Sequence, residues 1–265
     1  MAEKINSFYN LRTLEELSEK NTIIHKINPV IKLLTTILFL IVTISFSKYE
    51  ISGILPLIVY PIIIMSLGEV PCRSLLKTTL LAMIFIIGIG IFNPLFDRKA
   101  MISIQGVTIT AGWISFTSIL VRGFLTIWAA QLLIATTGMI NIAVALKKLK
   151  VPKIFIMQLL FTYRYISLFI EEVGRSTRAY FFRSHEGKGI KIEHWGSFLG
   201  GILLRTLDRA ERVYRAMSAR GFTGEYTIGK EVKIYNKDII YFLLWSVYFI
   251  FVRYFNLSEI LGSFI

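Results

Sequence analysis

A single cysteine, Cys72, stands in the whole chain, which excludes an internal disulfide framework and any multi-cysteine metal site. It reads as an ordinary apolar packing residue. Histidine is almost as scarce: His25, His185 and His194. The last two lie nine apart in polar sequence with no third ligand nearby, so the three read as solvated or hydrogen-bonded side chains and no metal site is expected. Acids number 17 against 30 Lys and Arg. No carboxylate pair sits in a clearly apolar setting, and no Ser-His-Asp or Cys-His arrangement follows from spacing, so catalysis has no obvious residues to work with. A signal-type leader is also missing. The first 29 residues are polar with Lys and Glu balanced, which points to a retained cytoplasmic start.

What the chain has in excess is apolar length. Hydrophobic residues make up 54%, only 18% are charged, and the mean hydropathy is +0.62. These residues come in blocks long enough to cross a bilayer, which a globular core seldom needs. The net charge of +13 is concentrated: residues 147–233 hold 17 Lys and Arg against 8 acids. A positive segment beside membrane spans reads as cytoplasmic.

The order of segments follows from the same pattern. Residues 1–29 form a cytoplasmic segment, helical in part over 11–20. Pro29 opens the first run, 30–46, at a first-turn position where its missing N–H costs nothing. Lys32 is expected to snorkel from its start. Residues 47–50 make an outside turn, and 51–67 return with kinks at Pro56 and Pro61. After a short inner loop, 78–92 cross again, with Gly88 and Gly90 allowing close helix approach. The outer loop 93–110 alternates over 102–109 like a small hairpin. Residues 111–137 return inside carrying Arg122 and Gln131, which need polar company. Residues 30–140 thus form a membrane domain of about four helices. Residues 238–255 supply a last aromatic-rich span within a C-terminal segment, 238–265.

Residues 141–237 differ in character. Beyond the basic break at Lys147-Lys148-Leu149-Lys150, a helix is expected through 153–184. Its apolar stripe is Ile166, Ile170, Val173, Thr177 and Tyr180, and Glu171 pairs with Arg175. A second helix, 195–220, repeats the design, with an apolar stripe Leu203, Leu207, Ala210, Tyr214 and Met217. Its basic stripe is Arg205, Arg209, Arg212, Ala216 and Arg220. Asp208 with Arg212, and Glu211 with Arg215, are i,i+4 pairs, and Gly221 supplies a left-handed stop. Both basic helices end on an arginine, which presents a planar guanidinium fork suited to carboxylates. Nucleic acid is disfavoured: RNA binding wants aromatic platforms beside exposed arginines, and Phe181 and Phe182 could serve, but arginines at helix tips fit carboxylate recognition better. The run Gly224 to Lys230 has phosphate-loop spacing, but Glu231 stands where a Ser or Thr must reach magnesium, so any ATP chemistry falls to a partner.

These residues resemble a known family. The carriers are Thr162-Tyr163-Arg164-Tyr165-Ile166, Glu171-Glu172, Phe182-Arg183-Ser184, Leu204 to Met217, and Ala219-Arg220-Gly221-Phe222. The 24–33 run and Ala135-Thr136-Thr137 add to them. Together they look like the transmembrane T component of energy-coupling factor (ECF) importers, nearest the cobalt branch, CbiQ. The resemblance covers nearly the whole chain. It implies an all-α polytopic membrane protein of about five to six membrane helices plus long amphipathic cytoplasmic coupling helices, in the cell membrane. It implies a non-catalytic subunit without cofactors, whose partners are two CbiO-like ATPases, a CbiM-like substrate-binding subunit and a small CbiN-like accessory subunit. The ATPase contacts implied are Arg183 and Arg220 with Phe182, Ser184, Ala219 and Gly221, supported by Arg205, Arg209, Arg212, Glu171 and Glu172. The second signature, Ala219-Arg220-Gly221, is intact. The first, Phe182-Arg183-Ser184, keeps only its arginine. Nickel or a vitamin are alternative cargoes. A reading of another class is a membrane enzyme acting on a lipid-linked substrate through Arg122 and Arg164.

Overall fold

Asn28 starts the first helix, α1 (Pro29–Ser45), by accepting a hydrogen bond from the Val30 amide at 2.9 Å while Pro29 occupies the first turn. The computed structural model describes residues 17–97, 100–104, 107–184, 189–224 and 233–255. Most of the expected N-terminal helix, the 225–232 stretch with its phosphate-loop spacing, and His185 lie outside the described residues.

The chain continues as a 3-10 turn (Leu55–Ile58) and α2 (Val59–Leu67), then α3 (Cys72–Gly90) and α4 (Phe92–Phe96). A hairpin of β1 (Ala100–Ile104) and β2 (Val107–Thr110) follows, then α5 (Ala111–Thr137) and α6 (Met139–Lys148). The remaining helices are α7 (Lys153–Arg183), α8 (Trp195–Ala219), preceded by a 3-10 turn (Ile192–His194), and α9 (Asn236–Tyr254). The architecture is that of an all-α membrane protein with one small hairpin, where alternation in the sequence placed it. Among the described residues three helices are long and apolar enough to cross a bilayer: Leu75–Phe96, Ala111–Thr137 and Lys153–Arg183. The chain divides into two compact units, Met1–Ala145 with Glu231–Ile265, and Leu146–Lys230.

The first unit is built around an aromatic nest. Tyr60 of α2 meets Phe39 of α1 at 4.8 Å between ring centroids, and Trp245 of α9 edge-on at 4.8 Å. Phe249 closes the group 5.3 Å from Tyr60. The Tyr60 hydroxyl is satisfied by Thr36 Oγ1 at 3.1 Å, so the ring is buried without a stranded polar group. Asp238, at the third position of α9, accepts from the Asn28 amide (3.1 Å) and the Tyr235 amide (2.8 Å), pinning the start of α9 to the start of α1.

Three expectations need correction. Residues 51–67 do not form one kinked span. Pro56 imposes 3-10 geometry, and the apolar helical stretch Leu55–Leu67 is too short to cross alone. The Pro56 carbonyl is taken up by the Tyr248 hydroxyl at 2.7 Å. Lys32 does not snorkel: it is 3% exposed, and its Nζ donates to the Thr136 carbonyl at 2.7 Å, one of the orphan acceptors at the end of α5. Gly88 faces open space, whereas Gly90 is held against the Phe116 ring, where a Cβ would approach to 2.8 Å. The fifth helix ends at Thr137, where the sequence run ends, and Gly138, at φ +74°, separates α5 from α6.

Polar residues within α5 do find company. Arg122 donates to the Ser47 carbonyl (3.0 Å) and Ser118 Oγ (3.3 Å). Gln131 Oε1 accepts from Thr78 (3.0 Å) and Thr79 (3.3 Å) of α3.

Candidate coupling site

The second unit is a pair of long helices. At 1.5 Å per residue, the 31 residues of α7 extend about 46 Å and the 25 of α8 about 37 Å. Contacts run in reverse order along them. Tyr180 meets Phe198, 6.3 Å between ring centroids, while Ser176 and Glu172 meet Arg205. The helices are therefore antiparallel, and their C-terminal tips point to opposite ends of the pair.

Arg205 is the clamp. Its Nη2 donates to Ser176 Oγ at 3.0 Å, and its Nε approaches Glu172 Oε1 at 3.3 Å and the Gly201 carbonyl at 3.1 Å. Glu172 also holds Arg175 at 2.9 Å, so it bridges two arginines. Nearer the α7 tip, the Tyr180 hydroxyl shares a hydrogen bond with His194 Nδ1 at 2.9 Å and accepts from the Lys191 amide at 3.3 Å. The segment before α8 is thereby fastened to α7.

The two arginine tips differ in build. At the end of α8 the Gly221 amide bonds the Ser218 carbonyl (3.0 Å) and the Phe222 amide bonds the Met217 carbonyl (3.1 Å). Gly221 sits at φ +79°. This is a Schellman cap, and it holds Arg220 as the exposed last residue of the helix. At the end of α7, Arg183 is also exposed, but Ser184 leaves in an extended conformation (φ −91°, ψ 127°) after one bond to the Tyr180 carbonyl. Phe182 beside it is 90% exposed. Ala219 is exposed and Ser184 half-buried. The loss of small neighbours around Arg183 thus coincides with a different helix end.

Several sequence expectations shift here. Glu171 is exposed, and Glu172 is the partner of Arg175, at i,i+3. The Glu211–Arg215 pair forms at 2.6 Å, whereas no ion pair joins Asp208 to Arg212. The line of α7 against α8 runs through Glu172, Ser176 and Tyr180: the first two stand one residue before Val173 and Thr177 of the expected apolar stripe, and Tyr180 belongs to it. On α8 the expected apolar stripe divides: Leu203 and Leu207 are more than half exposed, Ala210, Tyr214 and Met217 line a groove shared with α7, and Ile202, outside the stripe, is buried. Ser176 escaped the sequence reading, Tyr180 was read as a member of the apolar stripe, and His194 is hydrogen-bonded as expected. Ser176 lies four residues from Glu172, the one signal that placed it on the charged face. Arg164 is exposed on α7, and Arg122 is engaged by Ser47 and Ser118.

Known proteins bear on this geometry. The family described as CbiQ, cobalt transport protein, matches residues 20–230. An uncharacterized protein of Methanocaldococcus jannaschii is 27% identical over 249 residues, covering 88% of this chain and 82% of its own. The energy-coupling factor transporter transmembrane protein EcfT of Ruminiclostridium cellulolyticum is 25% identical over 257 residues, covering 89% of this chain and 96% of its own.

Proposed function

The chain belongs to the CbiQ family of cobalt transport proteins, and from that premise we propose that it is the transmembrane T subunit of an ECF importer for cobalt ions, coupling partner ATPases to a substrate-binding membrane subunit. The observation that carries the reading is the antiparallel pair α7–α8 with an exposed arginine at each far end. Two tips pointing to opposite ends suit two separate ATPase subunits. Each guanidinium enters a groove in one ATPase and pairs with a carboxylate there.

ATP binding draws the two ATPases together, and the tips move with them. Because α7 and α8 are clamped through Arg205, displacement at the tips becomes relative sliding and tilting of the pair. The uncovered α8 face, Leu203 and Leu207, passes that motion to the CbiM-like subunit, which releases cargo into the cytoplasm. The T subunit contributes no catalytic group. The Arg205–Glu172–Arg175 cluster keeps the levers rigid, while Arg209 and Arg212 keep the cytoplasmic half basic.

Truncating one partner of a buried interfacial charge pair costs about 2–5 kcal/mol, mostly by stranding the other charge. Arg220→Ala and Arg183→Ala are therefore expected to weaken co-purification with the ATPases and to stop cobalt uptake by cells producing the whole importer. Arg220→Lys is expected to be damaging too, because the bidentate fork is lost. A double alanine variant that assembles and transports normally refutes the docking.

A further inference from the structure

Beyond the Arg205 crossing, the diverging arms of α7 and α8 enclose a groove of about 660 Å³. Its floor is apolar: Phe161, Leu168 and Phe169 from α7, Val213 and Met217 from α8. Its rim is basic. Arg209 and Arg212 border it, and neither makes an ion pair among the described residues. Asp208 adds one acid to that rim, against these two arginines. Glu172, at the crossing, is already held by Arg175 and Arg205.

An apolar slot edged by uncompensated guanidinium groups matches a ligand with a long hydrocarbon body and one anionic head. A free phosphate would leave the apolar floor uncovered, and the rim offers a zwitterionic lipid no advantage. The α7 residues of the floor also belong to a helix apolar enough to cross a bilayer, and only 6% of its most apolar window is buried by this chain. The groove therefore continues a surface made for acyl chains.

We propose that the groove holds one anionic phospholipid, its acyl chain along Phe161, Phe169 and Met217 and its phosphate against Arg209 and Arg212. The site is separate from the arginine tips and does not depend on where they dock. Bound there, the lipid fills the space between the arms.

The test uses the full chain in nanodiscs of phosphatidylcholine doped with photoactivatable phosphatidylglycerol or photoactivatable phosphatidylcholine, both with the reactive group in the acyl chain. Cross-linked peptides are mapped by mass spectrometry. Phosphatidylglycerol is expected to label the 158–172 and 205–217 segments well above phosphatidylcholine. Arg209→Gln with Arg212→Gln is expected to lower that labelling about thirtyfold, at roughly fivefold for each cation lost near a charged headgroup. Arg215→Gln, which breaks the pair with Glu211 outside the groove, leaves it unchanged. If the double variant does not fold, Met217→Trp, which fills the floor and keeps both arginines, must lower the labelling. Equal labelling by the two lipids, no loss in either variant, or cross-links in the assembled importer that join the groove to a protein helix in place of lipid, overturns the proposal.

Discussion

Arg205→Met tests whether one side chain sets the rigidity of the α7–α8 pair. The substitution keeps the apolar stem and removes the 3.0 Å bond to Ser176 and the 3.3 Å approach to Glu172. A hydrogen bond to a charged group contributes about 1.5–3 kcal/mol when well shielded. Here the Arg205 side chain is 55% exposed and that of Glu172 16%. Half-exposure moves the ionic part toward the roughly 0–1 kcal/mol of a surface pair. Glu172 retains Arg175, so no charge is stranded. The net loss comes to about 1–2 kcal/mol, or roughly five- to thirtyfold in the local opening equilibrium. The comparison is Arg215→Met, which breaks a shorter contact, 2.6 Å to Glu211, whose side chains are 74% and 60% exposed. Its loss is expected to be about 0.5 kcal/mol or less. Hydrogen exchange followed by mass spectrometry on the detergent-solubilised full chain reads both, through amides of 172–183 and 195–205. Faster exchange in the Arg205 variant and near-native exchange in the Arg215 variant is the expected result. Equal effects, or a larger effect in the Arg215 variant, would show that shielding and cross-helix reach do not govern these pairs, and the clamp would have to be abandoned.

Three further outcomes follow from the same reasoning. Gly221→Ala places a Cβ at φ +79° in open space, so its cost is purely conformational, about 1 kcal/mol. It should speed amide exchange over the last turn of α8, and Gly221→Asn should do so less. Asp238→Ala leaves the buried Asn28 amide and the Tyr235 amide without their acceptor, for about 1–3 kcal/mol each, and should lower the melting temperature of the detergent-solubilised chain more than Lys237→Ala. Burial holds the His25 imidazole below the usual histidine range, although the Leu17 carbonyl, an acceptor 2.9 Å from Nε2, opposes the shift. The unfolded chain then binds the extra proton first, so stability is full above about pH 6.5 and declines as the pH falls below it. Melting curves between about pH 7.5 and pH 5.5 should show that decline, and His25→Asn should flatten it.

The membrane class, the long helices at 153–183 and 195–219, the hairpin after the third apolar run and the left-handed stop at Gly221 were all legible in the linear chain. Each depends on periodicity, run length or a backbone angle that one residue type tolerates, and such properties are local. Local pattern does not say which neighbour a face will meet. The leucine stripe of α8 announced an apolar face, yet it turns away from α7, because Arg205 and Ile202 occupy the contact and Glu172 supplies the counter-charge there. Lys32 carried a charge near a helix start, and only the arrival of the α5 terminus gave its ammonium a carbonyl deep in the protein. Periodicity assigns each residue an angle around its own helix axis. Which angles become buried depends on the position of a second helix, fixed by contacts between residues far apart in the chain.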